Sequence, residues 1–163
     1  MIKVIGIGQT MRGDDAAGIR AVQYWQVAYP ESSQQPNVQV LIEELPGLAL
    51  LDMLVGASFV VIADAVRSNV DPGTIHHLEF TDLATFKSGS SSAHGWGMAE
   101  TLALIGILGL SNMPEQISLV GIEAGDLNMG MTLSPPVTES LAQAAALIES
   151  LVTGRLATKV NGN

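Results

Sequence analysis

Val4-Ile5-Gly6-Ile7-Gly8-Gln9-Thr10-Met11-Arg12-Gly13-Asp14-Asp15-Ala16-Ala17-Gly18 decides how the rest of the chain is read. It reads as a buried strand, a glycine-rich turn and a helix start. The apolar run from Ile2 to Ile7 suits a strand covered on both faces. Gly6 and Gly8 allow the backbone to turn where a Cβ would clash. Asp14 is placed to cap the helix that follows by accepting its first amide hydrogens. Asp15 then stands in the first helical turn, at the positive end of the helix dipole, a place that suits a carboxylate acting as metal ligand or base.

Three readings of this stretch are open. A dinucleotide site is poorly supported, because Met11 stands where the third glycine of G-x-G-x-x-G belongs, and no G-K-[ST] follows to make a P-loop. A structural reading makes the stretch a tight turn with a doubled cap. The third reading is a site built on Asp15, which requires partners elsewhere in the chain.

Composition narrows the search. A chain of 163 residues is most simply one domain with a real core. Hydrophobic residues make up 47% and aromatics only 4%, so that core is mostly aliphatic, as in a helix-covered parallel sheet. The formal net charge of -9 repels phosphate backbones and argues against nucleic acid as a partner. Without cysteine there are no disulfides, thiolate metal sites or cysteine nucleophiles. The start lacks the basic region and apolar run of a signal peptide. The most apolar segment, Met98 to Leu110, contains Glu100 and is too short to span a bilayer. The expectation is a soluble, cytoplasmic protein without a membrane partner.

Outward from the opening stretch, the first helix is expected from Asp14 to Ala28, stopping before Pro30. Pro30 to Asn37 reads as a polar surface loop and Val38 to Ile42 as a second strand, closed by Glu43 and Glu44. Pro46-Gly47 turns the chain into a short helix over Leu48 to Leu54. Phe59 to Ala63 is a third buried strand ending at Asp64, and Pro72-Gly73 leads into a fourth near Thr74 to Phe80. Lys87 to Ser92 is short and of low complexity. Its small polar side chains bury too little apolar area to offset their ordering entropy, so mobility is expected. A long apolar helix runs from His94 to Leu108, and Gln116 to Ile122 is a fifth strand. A loop rich in Met and Gly precedes Ser134-Pro135-Pro136, where Ser134 suits a cap and Pro135 the first helical position. That helix is expected to end near Gly154. Residues 1–154 thus form one domain, and residues 155–163 a frayed tail.

Strands alternating with helices give an α/β domain with helices on both sheet faces, whose sites lie beyond the carboxyl ends of the parallel strands. Asp15 follows strand one, Asp64 ends strand three, and His94 starts the helix ahead of strand five. Two carboxylates and an imidazole make an oxygen-and-nitrogen site suited to zinc or nickel with open coordination positions, or to acid–base chemistry without metal. Each also has a plain structural use. Asp64 can satisfy amides in the following turn, His94 can cap a helix, and Asp15 can complement a dipole. Their joint location favours the site. His76 and His77 are adjacent in a strand, point to opposite faces and cannot clasp one metal. Glu43 and Glu44 end a strand near the same edge, where they suit an exposed strand end or a contact with substrate. Met129 and Met131 can line a peptide groove or fill core gaps.

The run Gly6 to Gly18 resembles the amino-terminal signature of the nickel–iron hydrogenase maturation proteases. Val61-Ile62-Ala63-Asp64-Ala65-Val66 resembles their second motif, Ser92-Ala93-His94-Gly95 their third, and Leu133-Ser134-Pro135-Pro136-Val137 the entry to their last helix. The likeness runs in order from Ile2 to Val152. The family usually has Asn where Gln9 stands. Many members have an Asp-Gly-Gly-Thr step where this chain has Glu43-Glu44-Leu45-Pro46-Gly47. The resemblance implies a three-layer α/β/α sandwich of the phosphorylase/hydrolase-like kind, with a five-stranded mixed, mostly parallel sheet whose fourth strand is antiparallel. It implies that Asp15, Asp64 and His94 contact metal and carry the catalysis. The activity implied is an aspartic-type, metal-assisted endopeptidase that removes a carboxyl-terminal peptide from the hydrogenase large-subunit precursor after nickel insertion. Nickel is then supplied by the precursor, zinc or cadmium are possible occupants of the site, and a monomer is favoured. A non-cutting nickel escort protein, or a nucleoside- or nucleotide-processing enzyme on a related sandwich, are the alternatives.

Overall fold

The computed structural model describes residues 1–44, 47–80, 98–130 and 132–160. Along the chain these form β1 (Ile2–Ile7), a 3-10 turn (Gly13–Ala16), α1 (Ala17–Ala28), α2 (Pro30–Ser33), β2 (Val38–Glu43), α3 (Ala49–Leu54), β3 (Phe59–Val66), β4 (Ile75–Phe80), α4 (Met98–Leu108), β5 (Gln116–Glu123) and α5 (Pro135–Val160). The sheet order is β2-β1-β3-β5-β4. β1, β2, β3 and β5 are parallel, while β4 runs antiparallel to β5 at the edge. The expected mixed five-stranded sheet is therefore present, with the fourth strand reversed.

Two aliphatic layers cover the sheet, which gives three layers in all. On one face Ile2, Val4, Val61, Ala63, Val120 and Ile122 pack with α1 and α5 residues such as Val22, Trp25, Ala144 and Ile148. On the other, Ile5, Val60, Ile62, Ile117 and Leu119 pack with Leu50 and Leu54 of α3 and Leu102 and Ile105 of α4. Alternate residues of β3 go to opposite layers, as the two-residue strand period requires. Each fully buried Val, Leu or Ile contributes roughly 1.5–3 kcal/mol relative to exposure.

Gly18 explains how closely α1 lies on the sheet. A Cβ there would fall on the Ala63 carbonyl oxygen and come within 2.5 Å of that of Ile7. Only a glycine lets the helix backbone touch β1 and β3 at that point. Because α1 follows directly from the 3-10 turn, this contact also fixes where Asp15 stands.

Several expected boundaries shift. The first helix is a 3-10 turn through Ala16 followed by α1. The polar stretch after Pro30 is not simply a loop: it begins with a helical turn in which Ser32 and Ser33 are buried. The Ser32 hydroxyl and the Trp25 indole N–H both donate to Glu149 of α5, at 2.7 and 2.9 Å. This tertiary clamp orders residues that composition alone marks as loop. β3 continues past Asp64 because Asp64, Ala65 and Val66 still pair with Gly121, Ile122 and Glu123. The last helix does not stop at Gly154 but reaches Val160. At the start of that last stretch, Arg155 is bonded to Glu115 at 3.3 Å and seated over the Phe59 ring. Among the described residues, no helix is long and apolar enough to cross a membrane.

Candidate active site

The carboxyl ends of β1, β3 and β5 meet the 3-10 turn and the loop that enters α5. Gly8 starts this construction. Its φ is +154°, and a Cβ there would overlap the Asp15 carbonyl oxygen, so glycine alone lets the turn fold back onto β1. The turn packs on β3. Asp15 is fully buried in the turn and Asp64 is 2% exposed in β3, so both expected carboxylates stand at this edge. Asp64 Oδ1 accepts the backbone N–H of Ala65 at 2.9 Å. His94 lies outside the described residues, as do Met131 and the Ser88 to Ser92 segment. Among the described residues, no group of three or more His, Cys, Asp or Glu is close enough to hold a metal.

Asp14 has a different role from the one its sequence position suggests. It does not cap α1. Its buried carboxylate accepts the backbone N–H of Gly125 and Asp126 at 2.9 and 2.8 Å. It also accepts the backbone N–H of Ser134 at 2.6 Å and the Ser134 hydroxyl at 2.8 Å. Burial works to raise its pKa, but the hydrogen bonds from Asp126, Ser134 and Gly125 outweigh it and hold the carboxyl below the ordinary value. The Ser134 hydroxyl, expected as a helix cap, is spent on Asp14, while its carbonyl accepts the Thr138 amide at 2.9 Å. Further backbone bonds seal the same seam: Gly13 N–H to Gly130 O at 2.7 Å, Asp14 N–H to Asp126 O at 2.8 Å and Gly130 N–H to Met11 O at 3.0 Å.

On the opposite side, Thr10 donates its amide at 3.3 Å, and its hydroxyl as well, to Glu44. Of the two acidic residues closing β2, Glu44 thus ties the strand end to the glycine loop.

A fourth buried acid, Glu123 at the end of β5, was not singled out from the sequence. It is 2% exposed. It accepts Ser68 N–H at 2.7 Å, Ser68 hydroxyl at 2.8 Å, Asn69 N–H at 3.0 Å and His76 Nε2 at 3.1 Å. Desolvation raises its pKa, yet the Ser68 and His76 hydrogen bonds prevail and hold it below the ordinary range. The available signal was the one used for Asp64: an acid closing an apolar strand of a parallel sheet. His76 and His77 do take separate partners, Glu123 and Glu79.

Comparison with known proteins places this arrangement. A family model described as hydrogenase maturation protease matches residues 20–151. The chain belongs to the hydrogenase maturation protease family. The matched region includes Asp64 and His94 and begins just after Asp15. A hydrogenase expression/formation protein HupD from Thiocapsa roseopersicina is 33% identical over 145 residues, which cover 88% of this chain and 63% of that protein. The chain thus spans somewhat under two thirds of that relative's length. The hydrogenase 2 maturation protease of Escherichia coli K12 is 29% identical over 157 residues, with 91% of this chain and 92% of that one covered. In three dimensions, the hydrogenase maturating endopeptidase HybD from E. coli superposes with a TM-score of 0.76 over 94% of this chain and 93% of that chain, at 24% identity. The fold of this family member is therefore that of hydrogenase maturation proteases.

Proposed function

We propose that this chain is an endopeptidase that removes a carboxyl-terminal peptide from the nickel-loaded precursor of a nickel–iron hydrogenase large subunit. The observation that carries the reading is the placement of two buried carboxylates, Asp15 and Asp64, at the carboxyl edge of the sheet in a member of this family. The names of its relatives, hydrogenase 2 maturation protease among them, support the substrate class.

The donor set fits nickel presented by a substrate. Carboxylate oxygens and an imidazole suit a borderline metal that still needs room for the precursor's own ligands. In this reading Asp15, Asp64 and His94 meet the precursor's metal. One carboxylate, Asp64 or Asp15, also accepts the proton from the attacking water. The precursor's nickel would serve as the recognition element and, when held by these residues, would supply Lewis acidity toward the scissile carbonyl or a water. Burial of Asp15 and Asp64 favours the task, because charges held in a low-dielectric site act more strongly on a reacting group than solvated ones. The protein acts in the cytoplasm, on a protein precursor and not on nucleic acid.

Mass spectrometry of a cognate large-subunit precursor, incubated with this protein with and without inserted nickel, tests the proposal. Loss of a carboxyl-terminal peptide from the nickel-loaded precursor alone is the expected result. Intact mass for every cognate precursor would instead favour an escort protein that binds without cutting.

A further inference from the structure

Arg12 stands at the rim of the site, three residues before Asp15. The Asp15 N–H donates to Arg12 O at 3.1 Å, and a turn closed in this way keeps the two Cα atoms within about 7 Å. Along this short path the chain passes from solvent to interior: Met11 is 53% exposed, Arg12 is half-buried and Asp15 is fully buried. Arg12 is also paired in parallel with Gly130, through Gly130 N–H to Met11 O at 3.0 Å and Gly13 N–H to Gly130 O at 2.7 Å. Met11-Arg12 and Met129-Gly130 therefore lie side by side. The two segments leave β1 and β5, the strands on either side of β3 and its Asp64.

The Arg12 guanidinium is anchored but not used up. Its Nε donates to the Leu127 carbonyl oxygen at 3.2 Å, which orients the group against the loop that follows β5. Among the described residues, no acceptor meets its Nη1 or Nη2. Acids are not scarce, since 16 Asp and Glu stand against seven Lys and Arg, yet none of the described ones is placed against this cation. An arginine tied down through Nε presents its two outer nitrogens as a planar pair of donors. Beside it, Met11 and the 82% exposed Met129 place two flexible thioether chains in solvent. Such side chains adapt to varied apolar partners.

We propose that Arg12 is a substrate-binding residue whose Nη1 and Nη2 donate to a main-chain carbonyl oxygen of the precursor's carboxyl-terminal segment, with Met11 and Met129 covering apolar side chains of that segment. This rests on the endopeptidase reading above. An extended peptide advances about 3.3 Å per residue, so a chain whose scissile bond lies beside Asp15 reaches Arg12 about two residues away. A neutral carbonyl suits the place better than an acidic side chain, because Glu43 and Glu44 are exposed near the same edge and repel a negative peptide. The role of Arg12 is binding alone: its guanidinium stays protonated and exchanges no proton with the reacting atoms.

The test is steady-state cleavage of a nickel-loaded large-subunit precursor by wild-type protein, Arg12→Met, Arg12→Lys and Met129→Ser, each checked by thermal unfolding. Met keeps the length of the Arg stem and removes every donor, whereas Lys keeps the charge and loses the planar pair. Arg12→Met is expected to raise KM roughly tenfold or more with kcat unchanged, the worth of hydrogen bonds from a charged donor. Arg12→Lys is expected to recover only part of that rise. Met129→Ser, at a surface position, is expected to raise KM roughly threefold through lost apolar contact. An unchanged KM in Arg12→Met, a full return to wild type in Arg12→Lys, or a fall in kcat that tracks a lowered unfolding temperature overturns the role of Arg12 while the endopeptidase reading stands. An unchanged KM in Met129→Ser overturns the apolar contact. Failure of wild-type protein to cleave any cognate precursor overturns the endopeptidase reading and this one together.

Discussion

Asp14 and Ser134, 120 positions apart in sequence, are joined twice: the Asp14 carboxylate takes both the Ser134 backbone N–H, at 2.6 Å, and its hydroxyl, at 2.8 Å. The bond locks the turn that carries Asp15 to the entrance of α5. With Gly125 and Asp126 added, one carboxylate organises the loops that leave β1 and β5. Asp14 is thus a support for the site, adjacent in sequence to a residue proposed to act in it.

Replacing that carboxylate has a definite expected cost. Asp14→Asn keeps the size but turns one acceptor oxygen into a donor facing other donors. It is expected to lower unfolding free energy by about 2–4 kcal/mol. Urea denaturation followed by circular dichroism measures this. A loss below about 0.5 kcal/mol would mean that the loops do not depend on the bond.

Acid sensitivity follows from the same residue and from Glu123. Both have folded pKa values held below the ordinary carboxylate range. At pH values between the folded and unfolded pKa the unfolded state binds more protons, so stability rises with pH there. Their contribution is complete above the unfolded value of about 4 and is lost as pH falls through the folded values. The urea midpoint is expected to be level between about pH 7 and 5 and to decline below about 4. Asp14→Asn should make that decline shallower. A midpoint that stays level to about pH 3 would contradict the assignment.

Close approach of α1 to the sheet sets a third expectation. In Gly18→Ala the new methyl would fall on the Ala63 carbonyl oxygen, so the helix must retreat. The cost is about 1–3 kcal/mol or more, as for other overpacked contacts. Because the helix continues the turn that carries Asp15, precursor processing should slow beyond what the lost stability explains. The measurement is the cleavage rate at a temperature where the variant is still folded. A wild-type rate there would show that the position of Asp15 does not depend on this contact.

The two carboxylates are the sharpest mark of the proposed chemistry. Asp15→Asn and Asp64→Asn preserve shape and remove charge. At least one is expected to slow cleavage of nickel-loaded precursor by about a hundredfold or more, the usual worth of a positioned acid or base. If both process precursor at the wild-type rate, with folding verified by circular dichroism, the carboxylate mechanism fails.

Periodicity and turn punctuation were legible residue by residue. Apolar runs such as Ile2 to Ile7 and Phe59 to Ala63 become strands covered on both faces, because such runs bury favourably only between two layers of helices. Their order along the chain brings Asp15 and Asp64 to one edge, since sites of parallel sheets gather at the carboxyl ends of strands. Tertiary structure alone decided which acids are anchored and to what. Asp14 read as a cap because capping is a local interaction, whereas its actual partners are more than a hundred residues away. Glu123 closes an apolar strand as Asp64 does, but its pairing with His76 depends on an antiparallel edge strand placed beside β5. Ser32 and Arg155 read as loop and tail until Glu149, Phe59 and Glu115 were brought against them. Local propensity fixes which residues turn or extend. Which buried charge meets which donor is fixed only when the packed sheet closes the distance between them.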